Sequence, residues 1–91
     1  MNIALDYDGT YTEDKELWDL FIEKSLDNGH KVFLVTMRYP EEINSDIKEL
    51  SKKIDVIFTS RKAKQVAVGL LNLEIDVWID DNPHWILEDS I

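Results

Sequence analysis

Short apolar runs alternate with amphipathic stretches along the whole chain, and this alternation constrains the fold more than any other feature. The runs are residues 3–5, 32–35, 56–58 and 77–79, and Ile, Val, Leu and Phe dominate them. Continuous apolar runs of this length are typical of strands that are covered on both faces. Strands separated by helices predict right-handed βαβ units, and therefore a parallel sheet with helices on both faces.

The stretches between the first three runs predict two helices. Residues 14–28 carry apolar side chains at helical spacing and end at Asn28-Gly29, where glycine suits the left-handed conformation of a helix C-cap. A second helix is expected to begin at Pro40, which suits a first helical position. It would carry an apolar stripe, although its last member is expected to lie past the helix end: Ile43, Ile47, Leu50 and Ile54.

A third helix is expected after the third strand, with Ser60 as its N-cap. Residues 83–88 predict a last short helix. The third helix would bury the apolar residues at helical spacing, which are Ala63, Val66, Ala67, Leu70 and Leu71. The resulting prediction is a single domain over residues 1–91, a small three-layer α/β/α sandwich of Rossmann-like type.

Composition narrows the class of protein. The hydrophobic share of 44% suffices for one modest core, and the absence of Cys excludes disulfides and thiolate metal ligands. A formal net charge of −9 argues against non-specific nucleic-acid binding, which needs a basic surface. No apolar run approaches the ~20 residues of a membrane span, and Asp6 stands too early for a signal peptide. A cytoplasmic protein with no membrane partner is therefore expected.

Each predicted strand is apolar until its carboxyl end and then meets a polar residue: Asp6, Thr36, Thr59 or Asp80. Open α/β sheets bind ligands at this edge. Two acidic pairs, Asp6 with Asp8 and Asp80 with Asp81, would crowd together there. Because such carboxylates repel one another unless a cation compensates them, the pattern favours a Mg²⁺ site. The alternative is a set of strand-end carboxylates that cap helices.

Four short motifs stand at these strand ends. They are Asp6-Tyr7-Asp8-Gly9-Thr10, then Thr36 in Val35-Thr36-Met37-Arg38, then Lys62 or Lys64, and finally Asp80-Asp81. In this order the sequence resembles the haloacid dehalogenase superfamily of phosphotransferases, from the first motif to the last. The first motif is highly specific.

The resemblance implies that Asp6 is a nucleophile that forms an aspartyl-phosphate, and that Asp8 is the general acid and base. It implies that Thr36 and the backbone N–H groups after it, at Met37 and Arg38, bind the transferring phosphoryl group. The Arg38 side chain would bind a substrate phosphate or pair with an acidic residue on the surface, Glu41 or Glu42.

The resemblance also implies a lysine that neutralises the charge shared by the nucleophile and the phosphate, and we favour Lys64 over Lys62 for this role. Mg²⁺ would be held by a carboxylate oxygen of Asp6, the backbone carbonyl of Asp8 and the carboxylate of Asp80. Asp81 would hold the water molecules of the metal.

The spacing predicts no cap domain, because fewer than ~30 residues separate Asp8 from Thr36 and one helix fills them. An open site admits a large phosphorylated substrate, such as a phosphoprotein or a nucleic-acid end, or needs a second copy in a homo-oligomer to close it.

The main prediction is a magnesium-dependent phosphomonoesterase. Phosphotransfer to another acceptor, or a catalytically idle metal- or partner-binding module, stay open as alternatives. A response-regulator receiver domain also combines acids, a Thr and a Lys. It places its phosphoacceptor Asp after a middle strand, however, and here Thr36 stands after the middle strand.

Overall fold

The computed structural model describes residues 1–90, which form four strands, four helices and two 3-10 turns. The strands are β1 (Asn2–Leu5), β2 (Lys31–Thr36), β3 (Asp55–Phe58) and β4 (Val77–Ile79). The helices are α1 (Lys15–Asp27), α2 (Ser45–Leu50), α3 (Lys64–Leu70) and α4 (His84–Leu87), and the 3-10 turns are Tyr11–Glu13 and Pro40–Glu42.

The strands form one parallel sheet in the order β3-β2-β1-β4. In its register, Ile3 of β1 lies between Val32 of β2 and Val77 of β4. The chain therefore steps outward from β1 to β3 and then crosses back past β1 to form β4. This reversal creates a topological switch point between β1 and β4, and ligands bind at the carboxyl ends of strands that flank such a point.

The two faces of the sheet pack against different helices, because successive strand residues point to opposite sides. One core contains ten buried residues, including Leu5 and Leu34 of the sheet, Ile22 of α1 and Ile47 of α2. The other contains four buried residues, Ala4, Phe33, Val35 and Val68, the last of which lies on α3. The predicted three-layer α/β sandwich with a parallel sheet is confirmed, and the core on the α3 side contains fewer buried residues.

The second helix does not begin at Pro40 as the sequence predicted. Residues 40–42 form a separate 3-10 turn, and Ile43 is extended with ψ 142°. α2 then starts at Ser45, because the Asn44 side chain accepts a hydrogen bond from the Ile47 N–H at 2.9 Å and so caps the helix.

The third helix also starts later than predicted, and Ser60 does not cap it. Ser60 and Arg61 have left-handed backbone conformations, with φ 54° and 71°. α3 begins at Lys64, and the Asp89 carboxylate accepts a hydrogen bond from the Ala63 N–H at 2.7 Å.

The apolar stripe predicted for this helix is only partly buried. Ala63 is buried, whereas the larger members lie in solvent: Val66, Leu70 and Leu71. The inward face is set instead by Lys64 and Val68, which lie one turn apart on the same side of the helix. Within residues 1–90, no helix has the length and apolar character needed to cross a membrane.

Candidate active site

An open pocket of about 240 Å³ lies at the carboxyl edge of the sheet, at the switch point between β1 and β4. Most of the side chains that the sequence singled out line it: Asp6, Asp8, Thr36, Met37, Lys64, Asp80 and Asp81. A larger hollow of about 550 Å³ lies at the opposite edge, lined by lysines and apolar side chains. That hollow contains no carboxylate pair, so the smaller pocket is the one that holds the groups suited to catalysis or metal binding.

Asp6 is buried at the end of β1 and held by three elements. Its backbone N–H donates to the Ile79 carbonyl of β4 at 2.9 Å, which continues the sheet by one residue. One carboxylate oxygen accepts from the Lys64 Nζ at 2.6 Å, and the other accepts from the Thr10 hydroxyl at 3.1 Å. Its position is therefore fixed by the sheet, by α3 and by the turn that follows β1.

Lys64 joins the ends of two neighbouring strands. Its ammonium lies 2.6 Å from an oxygen of Asp6 and 2.6 Å from an oxygen of Asp80, and the Lys64 side chain is 3% exposed. Lys62, the other candidate, is exposed and does not line the pocket. Lys64 reaches the site because it occupies the first position of α3, on the inward face that also carries Val68.

The pKa of Asp6 is raised to about 7, mainly by burial; Lys64 opposes this shift, and the neighbouring Asp81 and Asp80 carboxylates add to it. One ammonium therefore does not compensate this acidic group fully. Ionised carboxylates that are removed from water need a further cation or must take up a proton.

The turn after β1 brings Asp81 against the same cluster. Gly9 has φ 84°, and a side chain at this position would overlap the Asp81 carboxylate. The Asp81 N–H donates to the Thr10 hydroxyl oxygen at 3.1 Å. That hydroxyl lies 3.1 Å from Asp6 and 3.3 Å from Asp81, and its single proton can serve only one of the two carboxylates at a time.

A second layer of side chains fixes this turn from behind. The buried Tyr7 stacks on Tyr11 with ring centroids 5.8 Å apart. The Tyr7 hydroxyl accepts from Asn44 at 3.0 Å and donates to Asp46 at 3.2 Å, and Asp46 forms an ion pair with Lys15. The turn is thereby tied to α1 and α2, which restricts the movement of Asp6.

The donor set at the pocket fits magnesium. Asp6, Asp80 and Asp81 each offer a carboxylate oxygen, and these atoms lie within 4.8 Å of one another. Mg²⁺ prefers oxygen ligands, usually one or two carboxylates with water and substrate phosphate. Asp81, which the sequence placed behind the metal waters, belongs to this group. The Asp8 carboxylate does not belong to this group. Coordination of Mg²⁺ by the Asp8 backbone carbonyl, which the sequence led us to expect, stays a prediction.

Asp8 lies on the exposed side of the pocket and is paired with Arg38. The guanidinium makes two hydrogen bonds to the carboxylate, at 2.9 and 2.8 Å, and the Asp8 side chain is 56% exposed. Arg38 also donates to the backbone carbonyl of Glu42 at 2.8 Å and lies over the Tyr7 ring. Sequence reasoning offered a phosphate, Glu41 or Glu42 as partner and missed this pairing, because the two residues meet only in the folded chain.

Thr36 is fully buried at the end of β2, and its hydroxyl oxygen accepts from the Arg38 N–H at 3.3 Å. Thr36 and Met37 both line the pocket. β2 thus ends with a residue that lines the same pocket as the acidic cluster, and the role of Thr36 in binding a phosphoryl group stays a prediction.

Four further residues line the pocket that the sequence did not assign to it: Arg61, Asn82, Trp85 and Ser90. Arg61 donates to the Met37 carbonyl at 2.7 Å, and the Ser90 N–H donates to the Arg61 carbonyl at 2.7 Å. The last described residues therefore return to the β3–α3 loop and form one wall. The polar segment between β3 and α3 is a weak sequence signal that Arg61 belongs to the pocket. No sequence pattern indicates that Ser90 does.

Comparisons with protein-family models, with curated proteins and with solved structures find no significant match to this chain.

Proposed function

We propose that this chain is a magnesium-dependent phosphomonoesterase of the haloacid dehalogenase type, in which Asp6 is the nucleophile. The observation that carries the proposal is the buried arrangement of Asp6, Lys64 and Asp80 at the switch point of the sheet. A nucleophile, a fixed cation and a further carboxylate within hydrogen-bond distance are what phosphoryl transfer through an aspartyl-phosphate requires.

In the first step, an Asp6 oxygen attacks phosphorus, and the bond to the ester oxygen breaks with its electron pair leaving on that oxygen. The carboxylate needs no base once it is ionised. Lys64 spreads the charge that Asp6 and the phosphoryl group share, from a position fixed before substrate binds. Bound Mg²⁺, held by Asp6, Asp80 and Asp81, would supply the positive charge that draws the phosphate to Asp6.

Asp8 would donate a proton to the leaving oxygen in the first step. In the second step it would accept one from a water molecule that attacks phosphorus, which breaks the bond to Asp6 and releases phosphate. Asp8 stands on the exposed side of the pocket, where a leaving group departs and water enters. To serve both steps, Asp8 must exchange a hydrogen bond from Arg38 for one to the reacting oxygen. A substrate phosphate offers Arg38 another anion and so favours that exchange.

The open pocket of about 240 Å³ is smaller than the ~300–1,000 Å³ usual for pockets that enclose a whole small molecule. We therefore propose that the substrate is large or exposed and leaves most of its surface outside, as on a phosphoprotein or a nucleic-acid end. A cytoplasmic location is part of this proposal, although the absence of Cys by itself leaves the redox compartment undecided.

A catalytically idle magnesium-binding module is the second candidate, and one observation favours it. The two hydrogen bonds from Arg38 occupy the Asp8 carboxylate, which is the group that would carry the proton. A module of this kind would bind Mg²⁺ without turning over a phosphate ester.

The test is hydrolysis of p-nitrophenyl phosphate with and without Mg²⁺ by the wild type and by Asp6→Asn. We expect the variant to lose at least ~10⁴-fold in kcat, because the amide cannot attack phosphorus. Asp27→Asn is a matched control, since Asp27 is exposed at the end of α1, and it should retain full activity. The idle module is supported instead if calorimetry shows that the wild type binds Mg²⁺ but it hydrolyses neither p-nitrophenyl phosphate nor a phosphoprotein nor a phosphorylated nucleic-acid end.

A further inference from the structure

Trp85 differs from the other two tryptophans in what it packs against. Trp18 packs against the core on the α1 and α2 side of the sheet, and Trp78 packs against the core on the α3 side. Within residues 1–90, Trp85 belongs to neither core and instead lines the candidate active-site pocket, where it is half-buried. A large aromatic ring that the core does not use, at the edge of a reactive pocket, is suited to contact a ligand.

The ring of Trp85 is held in place but keeps an accessible polar edge. The His84 ring packs against it at 67°, with ring centroids 4.9 Å apart, which limits its movement. Its indole N–H is not buried without a partner, since the Thr59 hydroxyl is the one such group within residues 1–90. Because an indole N–H only donates, an acceptor on a ligand would complement it.

Asn82 lies beside Trp85 at the same edge of the pocket. The Trp85 backbone N–H donates to the Asn82 carbonyl at 3.2 Å, so one turn of the chain brings both residues to the pocket. The Asn82 N–H donates to Asp80 at 3.0 Å, which ties this turn to the buried half of the site. The Asn82 side chain is exposed, and its carboxamide offers both donors and an acceptor.

An aromatic face beside a carboxamide matches a nucleobase. A base stacks on an aromatic ring, and its polar edge exchanges hydrogen bonds with a group that both donates and accepts. A phosphoserine side chain has neither a ring nor such an edge, and a phosphotyrosine ring has no polar edge. The edge of this pocket therefore favours a nucleotide over a phosphoprotein.

The charge at the pocket limits the ligand to one nucleotide. Within residues 1–90, two cationic side chains line the pocket, and Lys64 is already paired with Asp6 and Asp80. The other is Arg61, which is 37% exposed and has N–H groups to spare beyond its pairing with Glu42. Proteins that hold a longer strand use a basic groove along its backbone, and one exposed arginine in a chain of net charge −9 does not form one.

We propose that the substrate is a nucleoside monophosphate, free or as the terminal nucleotide of a single strand, whose base stacks on Trp85 beside Asn82. The inference rests on the proposed function, which supplies the chemistry. The bond between phosphorus and the nucleoside oxygen breaks, that oxygen takes a proton from Asp8, and water releases the phosphate from Asp6. The products are a nucleoside or a strand with a free hydroxyl, and inorganic phosphate.

Steady-state kinetics with Mg²⁺ on adenosine monophosphate and on ribose 5-phosphate test the inference, because the second substrate lacks the base. The value of kcat/KM should be roughly 10–100-fold higher for adenosine monophosphate. Trp85→Leu should reduce this ratio to about 1–3, and Trp85→Phe, which keeps an aromatic ring, should retain most of it.

Two further variants complete the set, and circular dichroism checks that each one folds. Asn82→Ala changes an exposed position and should lower the ratio by about five-fold, which tests the site independently of the Trp85 variants. Leu87→Ala is the control, because Leu87 is 70% exposed on the same helix and does not line the pocket. It should leave the ratio unchanged.

Two further substrates identify the source of the phosphate. A 5′-phosphorylated single-stranded hexanucleotide that is used as well as adenosine monophosphate would show that strand ends serve as substrates, and one used less well would identify the free nucleotide. A hexanucleotide that is strongly preferred would overturn the limit to one nucleotide. A phosphotyrosine peptide that is preferred to adenosine monophosphate would overturn base recognition.

Failure of this inference and failure of the proposed function give different results. Equal hydrolysis of adenosine monophosphate and ribose 5-phosphate, or a preference that survives Trp85→Leu, overturns the inference and leaves the phosphatase intact. A wild type that is inactive on every phosphate ester contradicts the proposed function, and calorimetry in Mg²⁺ then compares the dissociation constants of the same two ligands. Tighter binding of adenosine monophosphate that Trp85→Leu abolishes would support the nucleotide site, and equal or absent binding would overturn it.

Discussion

The two halves of the candidate site hold their carboxylates by different means. Asp6 and Asp80 are tied to the sheet and bridged by Lys64, whose side chain is 3% exposed. Asp8 lies only two residues after Asp6 but is 56% exposed and depends on the Arg38 side chain. The fold thus fixes the proposed nucleophile and leaves the proposed proton carrier free to move.

This difference follows the chemistry that each group would perform. A nucleophile and its cation act best when they are in place before substrate binds, because no reorganisation is then needed in the transition state. A proton carrier must meet a leaving group and later a water molecule, and a surface ion pair is easily exchanged. We therefore expect substitutions in the buried half to change the free energy of unfolding more than substitutions in the exposed half.

The largest effect is expected from Lys64→Met, which removes the ammonium and keeps the side-chain length. It leaves the carboxylates of Asp6 and Asp80 buried without their cation, which should cost about 3–5 kcal/mol in the free energy of unfolding. The kcat for p-nitrophenyl phosphate should fall by about 10³-fold. Urea unfolding at pH 8 without metal measures the first quantity.

Lys62→Met is the control, because Lys62 is exposed and lies near Lys64 in the sequence. Its free energy of unfolding should change by less than ~0.5 kcal/mol. Equal stability losses in the two variants would mean that the buried half is no more tightly held than the surface.

A smaller effect is expected from pH. Because the folded pKa of Asp6 is about 7, against an ordinary value of 3.8, folding favours the protonated form. The stability associated with this group is complete below pH ~4 and declines as the pH rises toward 7, by up to about 4 kcal/mol. In metal-free protein, Asp6→Asn should abolish this part of the pH dependence.

The measurement is urea unfolding of both proteins between pH 4 and 8 in the presence of a chelator. Added Mg²⁺ should stabilise the wild type more at pH 8 than at pH 5, since the ligands must be deprotonated. Parallel pH profiles for wild type and Asp6→Asn would contradict the assignment of the shift to Asp6.

Much of the fold and of the buried half could be predicted from sequence, because both depend on local patterns. Apolar runs that end in Asp6, Thr36 and Asp80 place these residues at one edge of any parallel sheet. The start of α3 could not be predicted, because the Ala63 N–H before the helix donates a hydrogen bond to Asp89, which is far away in sequence. The pairing of Asp8 with Arg38 was missed for the same reason.

The smallest effect on stability is expected in the exposed half, from Arg38→Met. The variant loses a partly exposed ion pair with Asp8 and a hydrogen bond to the Glu42 carbonyl, which together should change the free energy of unfolding by less than ~2 kcal/mol. KM should nevertheless rise by about ten-fold, because the variant lacks a second anchor for the substrate phosphate. Steady-state kinetics with Lys24→Met as the surface control separate the two effects. A loss of stability as large as that of Lys64→Met would mean that Arg38 is part of the scaffold, and that Asp8 is not free to move.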